Sequence, residues 1–179
     1  MAKTYYYLTG SLPLTAFGEK MPLTPEELDA EVRRLAAPED YERFRRLTLE
    51  PDMAGVEPGS AAAEFFDWEM SLRNAWLEFR KKNRPDAAEF KRGYPDFYSE
   101  IAPGLTLAAG AADPLEAEKI IDRMRWSRLD ELESGHRFDF DYLCLYKFKL
   151  LILNKYQARS AEAGQTALDG ILAAMKPPQ

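Results

Sequence analysis

The chain has 179 residues, of which 46% are hydrophobic and 30% charged, with a formal net charge of −6. That length buries a substantial core without disulfides or metals, and the acidic balance argues against a general nucleic-acid binder, because phosphate binding wants a basic field. The one cysteine, Cys144, lies in an apolar run, which excludes a disulfide framework and a cysteine metal site and points to a reducing, cytoplasmic compartment.

The opening MAKTYYYLTGSLP lacks the basic start, apolar stretch and cleavage site of a secretory signal. Tyr5-Tyr6-Tyr7-Leu8 is β-prone, and Gly10, Pro13 and Gly18 interrupt regular structure, so the expectation is an extended lead-in laid against helices. The first helix is announced by LTPEELDAEVRRL: Thr24 as N-cap, Pro25 at the first helical position and Glu27 three residues after the cap form a capping box. Leu28, Val32 and Leu35 make its buried stripe. A short helix follows Pro38 with Tyr41, Phe44 and Leu47 inward, and Glu50 to Gly59, with two prolines and two glycines, reads as a loop.

A long helix is expected from Ser60 to about Lys82, roughly 34 Å at ~1.5 Å per residue. Phe65, Trp68, Leu72, Ala75, Trp76 and Phe79 share one stripe, and Phe66, Met70 and Leu77 another, so the helix packs on two sides. Glu69, Arg73 and Arg80 lie between the stripes, with Glu69 four residues before Arg73, the favourable acid-before-base order. The pair reads as a structural ion pair or a partner-facing polar patch.

Short helices are expected over Asp86 to Arg92 and Pro95 to Ile101, followed by a connector, GLTLAAGAA, that carries no phosphate-loop signature. DPLE at Asp113 to Glu116 is a second capping box, opening a helix that ends at Ser134 before Gly135. Ala117, Ile120, Ile121 and Met124 share one face, whereas Trp126, Leu129 and Leu132 lie round from it, so the helix bends or its second half meets a different neighbour. The last long helix starts near Asp139, ends before Gly164 and is apolar nearly all round from Tyr142 to Leu153. Its Lys147 and Lys149 point to opposite sides, each snorkelling or pairing with an acid from a neighbouring helix. No run reaches ~18 uninterrupted apolar residues, so no membrane-spanning helix is expected. A short helix, Thr166 to Met175, closes the chain. The expected fold is all-α: a multi-helix bundle around a central C-terminal helix, one helical domain over 1–179 whose only candidate sub-division separates 1–103 from 113–179.

Chemistry is sparse. The one histidine, His136, removes most acid-base and metal arrangements. It follows the helix-ending Gly135, so a turn residue bonding a nearby carbonyl is expected, the alternative being a pH-sensitive interface contact. Asp130, Glu131 and Glu133 read as solvent-facing charge and Asp139 and Asp141 as helix-start acids favoured by the macrodipole. Cys144 reads as a packing residue whose thiolate burial disfavours. Catalytic, cofactor-binding and metal residues are therefore expected to be absent. Charge is uneven: thirteen acids against five arginines lie between Thr24 and Glu69, and seven basic residues against three acids between Arg73 and Arg92. That split suits a bridge between unlike surfaces, and equally two solvated faces.

YYYLTGSLP, FFDWEMSLRNAWLEFR and IIDRMRWSRLDELESGHRFDFDYLCLYKFKLLILNKYQ resemble a bacterial family of unknown function whose genes lie beside those of V-type ATPases. More distantly, Asn74-Ala75-Trp76-Leu77-Glu78-Phe79-Arg80 resembles the Asn, apolar helix and Arg pattern in the helical domains of the C-type stalk subunit of archaeal and bacterial rotary ATPases, the counterpart of the eukaryotic d-type subunit. In that family an all-helical, funnel-like subunit caps the central stalk and seats it on the membrane rotor ring. The resemblance implies a non-catalytic coupling, stalk or assembly component partnered by V/A-type ATPase central-stalk or rotor subunits, with no nucleic acid and no direct membrane insertion. It also makes Asn74 and Arg80 helix-packing residues of one repeat. Proteins of the stalk-capping family are about twice as long and carry three such domains, which implies a shortened equivalent or an accessory. From a different class, a free-standing helical module would bind a small molecule in a pocket containing Glu69, Arg73 and Lys147.

Overall fold

The computed structural model describes residues 4–81 and 98–157. Among them run helices α1 (Tyr6–Ser11), α2 (Pro25–Leu35), α3 (Pro38–Arg46), α4 (Ala61–Lys81), α5 (Ile101–Ala109), α6 (Pro114–Glu133) and α7 (Phe140–Gln157), and the all-α class expected from the periodicity is what the chain adopts. Helix α7 is the hub. Every residue from Leu143 to Leu150 is buried, as are Ile152 and Leu153, and α2, α3, α4 and α6 all pack against it. A helix apolar round its whole circumference is stable only when covered on all sides.

The N-terminal two-thirds of α4 supplies the opposing layer. Phe65 and Phe66 are fully buried and set their rings 4.7 and 5.4 Å from that of Phe148 on α7. Trp68 is buried too, and its indole N–H donates to Glu100 Oε1 at 3.0 Å. Burial along this stripe stops at Leu72: Ala75 and Trp76 are only half-buried and Phe79 is exposed. Periodicity identifies which residues share a face, not how far along the helix that face is covered.

Local signals hold where the capping chemistry is explicit. Thr24 Oγ1 accepts from Glu27 N at 3.1 Å and Glu27 Oε2 accepts from Thr24 N at 2.7 Å, the reciprocal box that starts α2. At α6, Asp113 Oδ1 accepts from Glu116 N at 2.8 Å, but the Glu116 carboxylate takes Ala112 N instead of the cap's own N–H. The second half of α6 meets a different neighbour, as one of the two expectations had it: Trp126 faces Phe17 from the segment before α2, ring centroids 5.7 Å apart.

Two expectations are corrected. Thr4 bridges Asp139 and Tyr5 N donates to Phe138 O, but from Tyr6 the chain turns into α1 and is extended again at Leu12. The β propensity of its tyrosines yields to local bonds, with Thr9 and Ser11 hydroxyls donating to the carbonyls of Tyr5 and Leu8. The supposed connector GLTLAAGAA belongs largely to α5. Pro103 sits in its first turn, where no N–H partner is required. A Cβ on Gly104 would run into the thioether of Met124 on α6, so the glycine permits close approach of the two helices. The helices expected over Asp86 to Arg92 and Thr166 to Met175, the first three residues of that expected over Pro95 to Ile101, and the end of the last helix beyond Gln157 lie outside the described residues; Tyr98 to Glu100 form a turn before α5 begins at Ile101 instead of closing a helix there. Among those described, no helix is long and apolar enough to cross a membrane.

Candidate functional site: a buried ion network and the groove beside it

Glu69 stands on α4 between the two apolar stripes and is fully buried. A carboxylate removed from water needs charged partners, and two arginines supply them. Arg73, one turn on, gives its Nε to Glu69 Oε1 at 2.7 Å and an Nη2 to Leu49 O at 2.9 Å. Arg125 on α6 embraces the same carboxylate with two bonds, Nε to Oε2 at 2.8 Å and Nη2 to Oε1 at 2.7 Å, the fork geometry that makes such pairs strong. The third donor of Arg125 reaches Asp122 Oδ1 at 2.7 Å. Asp122, also fully buried, accepts on its other oxygen from Lys155 at 2.8 Å and the Tyr156 hydroxyl at 2.6 Å on α7. Lys155 also meets Glu118 at 2.7 Å. Burial alone would lower the Arg125 pKa, but hydrogen bonds and the charges of Glu69 and Asp122 outweigh it and hold the guanidinium firmly protonated.

This network locks α4, α6 and α7 together. Sequence spacing finds its i,i+4 half, Glu69 with Arg73; it misses Asp122 and Arg125, whose signal is an acid and a base three apart beside Ile121 and Met124 on an otherwise apolar face. Of the remaining residues singled out from the sequence, Asn74 is half-buried and Arg80 is exposed, so Arg80 is not the helix-packing residue that the resemblance implied. Next to the network lies an open groove of about 420 Å³ bounded by Leu72, Arg73, Trp76, Arg80, Pro114, Ala117, Glu118, Ile121 and Arg125.

His136 lies elsewhere, on a cleft of about 660 Å³ shared with Asp40, Arg43, Glu57, Asp139 and Asp141. As expected of a turn residue, His136 bonds a nearby carbonyl, its backbone N donating to Glu133 O at 2.9 Å, and its ring adds a carboxylate contact, Nδ1 to Asp139 Oδ2 at 2.7 Å, with Asp141 Oδ2 3.9 Å away. Asp139 caps its own helix through Tyr142 N at 3.0 Å. Asp141 instead accepts from Ala61 N at 3.1 Å, capping α4 from across the chain. Burial pushes the Asp141 carboxyl up, against the opposing charge of His136 and the bond from Ala61. No three His, Cys, Asp or Glu side chains converge as a metal site among the described residues.

The two lysines of α7 serve different neighbours. Lys147 donates to Phe44 O at 2.7 Å and lies 4.5 Å above the Phe44 ring, satisfying the open carbonyls at the end of α3; burial lowers its pKa. It does not join Glu69 and Arg73. Lys149 pairs with Asp130 at 2.6 Å and with Glu133 on α6, and these bonds raise its pKa against the opposing effect of burial. Asp130 and Glu133 are therefore partners of a buried lysine as well as surface charge. Cys144 is buried and its thiol is pushed well up by that burial.

Tyr5 makes stability depend on pH, because its phenol is pushed up to about 12 by burial and by its bond to the buried Asp40. The unfolded chain loses that proton near pH 10, so above it the folded state carries more protons than the unfolded one, and stability falls as pH rises towards 12. Lys149 acts in the same direction: its contribution is complete below its unfolded pKa near 10.4 and is lost as pH climbs through the raised folded value. Urea midpoints at pH 9, 10, 11 and 12 are expected to be level at first and then decline, with a shallower decline in Tyr5→Phe. A midpoint constant to pH 12 is the contrary result.

The chain matches no family model, no curated protein and no solved structure.

Proposed function

We propose that this chain is a non-catalytic coupling, stalk or assembly component of a V/A-type rotary ATPase. The three segments resembling the ATPase-linked family support that reading. The observation that carries it is mechanical: three helices, two of them about twenty residues long, are tied by a buried network running Arg73, Glu69, Arg125, Asp122, Lys155. Buried ion pairs add less net stability than apolar packing of the same volume, but they tolerate little change of geometry once formed. A body cross-braced in this way transmits force without deforming, as a coupling element must. The segment Asn74 to Arg80, which carries the likeness to the stalk-capping family, is the part of α4 least covered by the core.

The test is affinity isolation of the tagged full chain from its native cells at moderate salt, with stalk and rotor subunits quantified by mass spectrometry against a tag-only control. Enrichment of those subunits is expected. Recovery of the chain without them removes the reading.

A further inference from the structure

Two carboxylates at the start of α7 divide their oxygens in the same way. Asp139 Oδ1 accepts from Tyr142 N at 3.0 Å, and its Oδ2 turns to His136 Nδ1 at 2.7 Å. Asp141 Oδ1 accepts from Ala61 N at 3.1 Å, and its Oδ2 faces the same ring nitrogen from 3.9 Å. The first backbone bond caps α7 and the second caps α4, so one imidazole stands between the caps of the two helices that meet through Phe148. All three side chains are between 26% and 30% exposed. They are wet enough to exchange protons and covered enough to escape full screening by salt.

The cleft through which water reaches them is acidic. Glu39 and Asp40 of α3, Glu57 of the loop before α4, Asp139 and Asp141 line it, against Arg43 and His136. Arg43 is held by Asp40 and Glu57, and Arg137, although next in sequence to the histidine, is exposed and off the cleft. Cys144 beneath stays a neutral thiol. Because ionised carboxylates only accept, Nδ1 carries a hydrogen in either charge state, and the proton lost as pH rises leaves from Nε2. The bond to Asp139 survives that loss. Asp141 is too far from the ring for a hydrogen bond, so the positive charge is all that ties it to His136.

Ala61 begins α4 where the loop from Leu47 to Ser60 ends. That loop turns through left-handed glycines at Gly55 and Gly59, with φ of 82° and 77°, and forms one wall of the cleft. It is tied near its start by Arg73 to Leu49 O, at Glu57 by Arg43, and at its end by Asp141 to Ala61 N. We propose that His136 is a proton-operated clasp on this loop: charged, it holds Asp141 in place to cap α4, and neutral, it lets the start of α4 and the adjoining wall of the cleft loosen. Imidazoles change charge between about pH 5 and 8, so the cleft wall slackens across that range. The device goes beyond the coupling reading and stands or falls without it.

His136 is the one histidine in the chain, so nuclear magnetic resonance on the full chain reads its ring titration directly. The same series, from about pH 5 to 8, follows hydrogen exchange at the amides of Ala61 and Tyr142, corrected for the intrinsic pH dependence of exchange. Protection at Ala61 is expected to fall about fivefold as the ring loses its charge, while Tyr142, whose cap keeps its bond to the ring, changes by less than about twofold. His136→Lys, charged throughout, should keep Ala61 protected across the range, and His136→Gln, neutral throughout, should hold it at the lower level. A step arising from the Asp141 carboxyl alone would survive in His136→Gln. Ala61 protection that stays level in the parent chain through the midpoint of the ring titration overturns the proposal whatever the variants do. The same step in His136→Gln overturns it, as does an equal loss at Tyr142, which would mark a general loosening instead of the release of Asp141.

Discussion

Glu69→Ala is expected to lower stability by about 3 kcal/mol, which for a chain of this size corresponds to a melting point roughly 6–12 °C lower. Removing the carboxylate strips Arg125, whose side chain is only 15% exposed, of two of its three charged bonds, while Asp122 remains its only ionic partner. Arg73 can turn into solvent, so most of the cost comes from the arginine that cannot. The loss therefore reflects an orphaned buried charge and not the net worth of the pair. Replacing both ends with apolar groups, Glu69→Leu with Arg125→Met, should recover most of it, because Asp122 keeps Lys155 and Tyr156. Thermal unfolding of the single and double variants measures this directly. A single variant within about 0.5 kcal/mol of the parent would show that the network contributes no cohesion.

Phe148→Ala is expected to cost about 3–5 kcal/mol. Phe148 is completely buried and joins α7 to α4 through Phe65 and Phe66, so its loss opens a cavity that aromatic neighbours on a rigid helix cannot collapse to fill. Tyr7, 74% exposed, provides the contrast: Tyr7→Ala should change stability by less than about 0.5 kcal/mol. Urea unfolding of the two variants separates a hub from a surface. If Phe148→Ala behaves like Tyr7→Ala, α7 is not the element about which the others pack.

Much of this architecture is written in the chain itself. The all-round apolar run from Tyr142 to Leu153 demands a helix enclosed by others, since no other arrangement hides such a surface. The Thr24 capping box and the Asp113 cap depend on residues within one turn, and those helices begin where the spacing places them. The same local logic identifies Glu69 with Arg73. It fails at α5, where the stretch from Gly104 reads as a connector although Pro103 falls in a turn with no donor to lose and Gly104 lies against the Met124 thioether across the interface.

What only the tertiary structure decides is which distant groups meet. Arg125 reaches Glu69 from 56 positions along the chain, and Asp141 caps a helix that begins 80 positions before it. Lys147 and Lys149 are two residues apart on one helix, yet one satisfies the carbonyls of α3 and the other the carboxylates of α6. Side-chain periodicity sets the direction in which a residue points, whereas its partner depends on how separate helices are brought together by burying their apolar faces, a free energy that carries no record of which charges it will join.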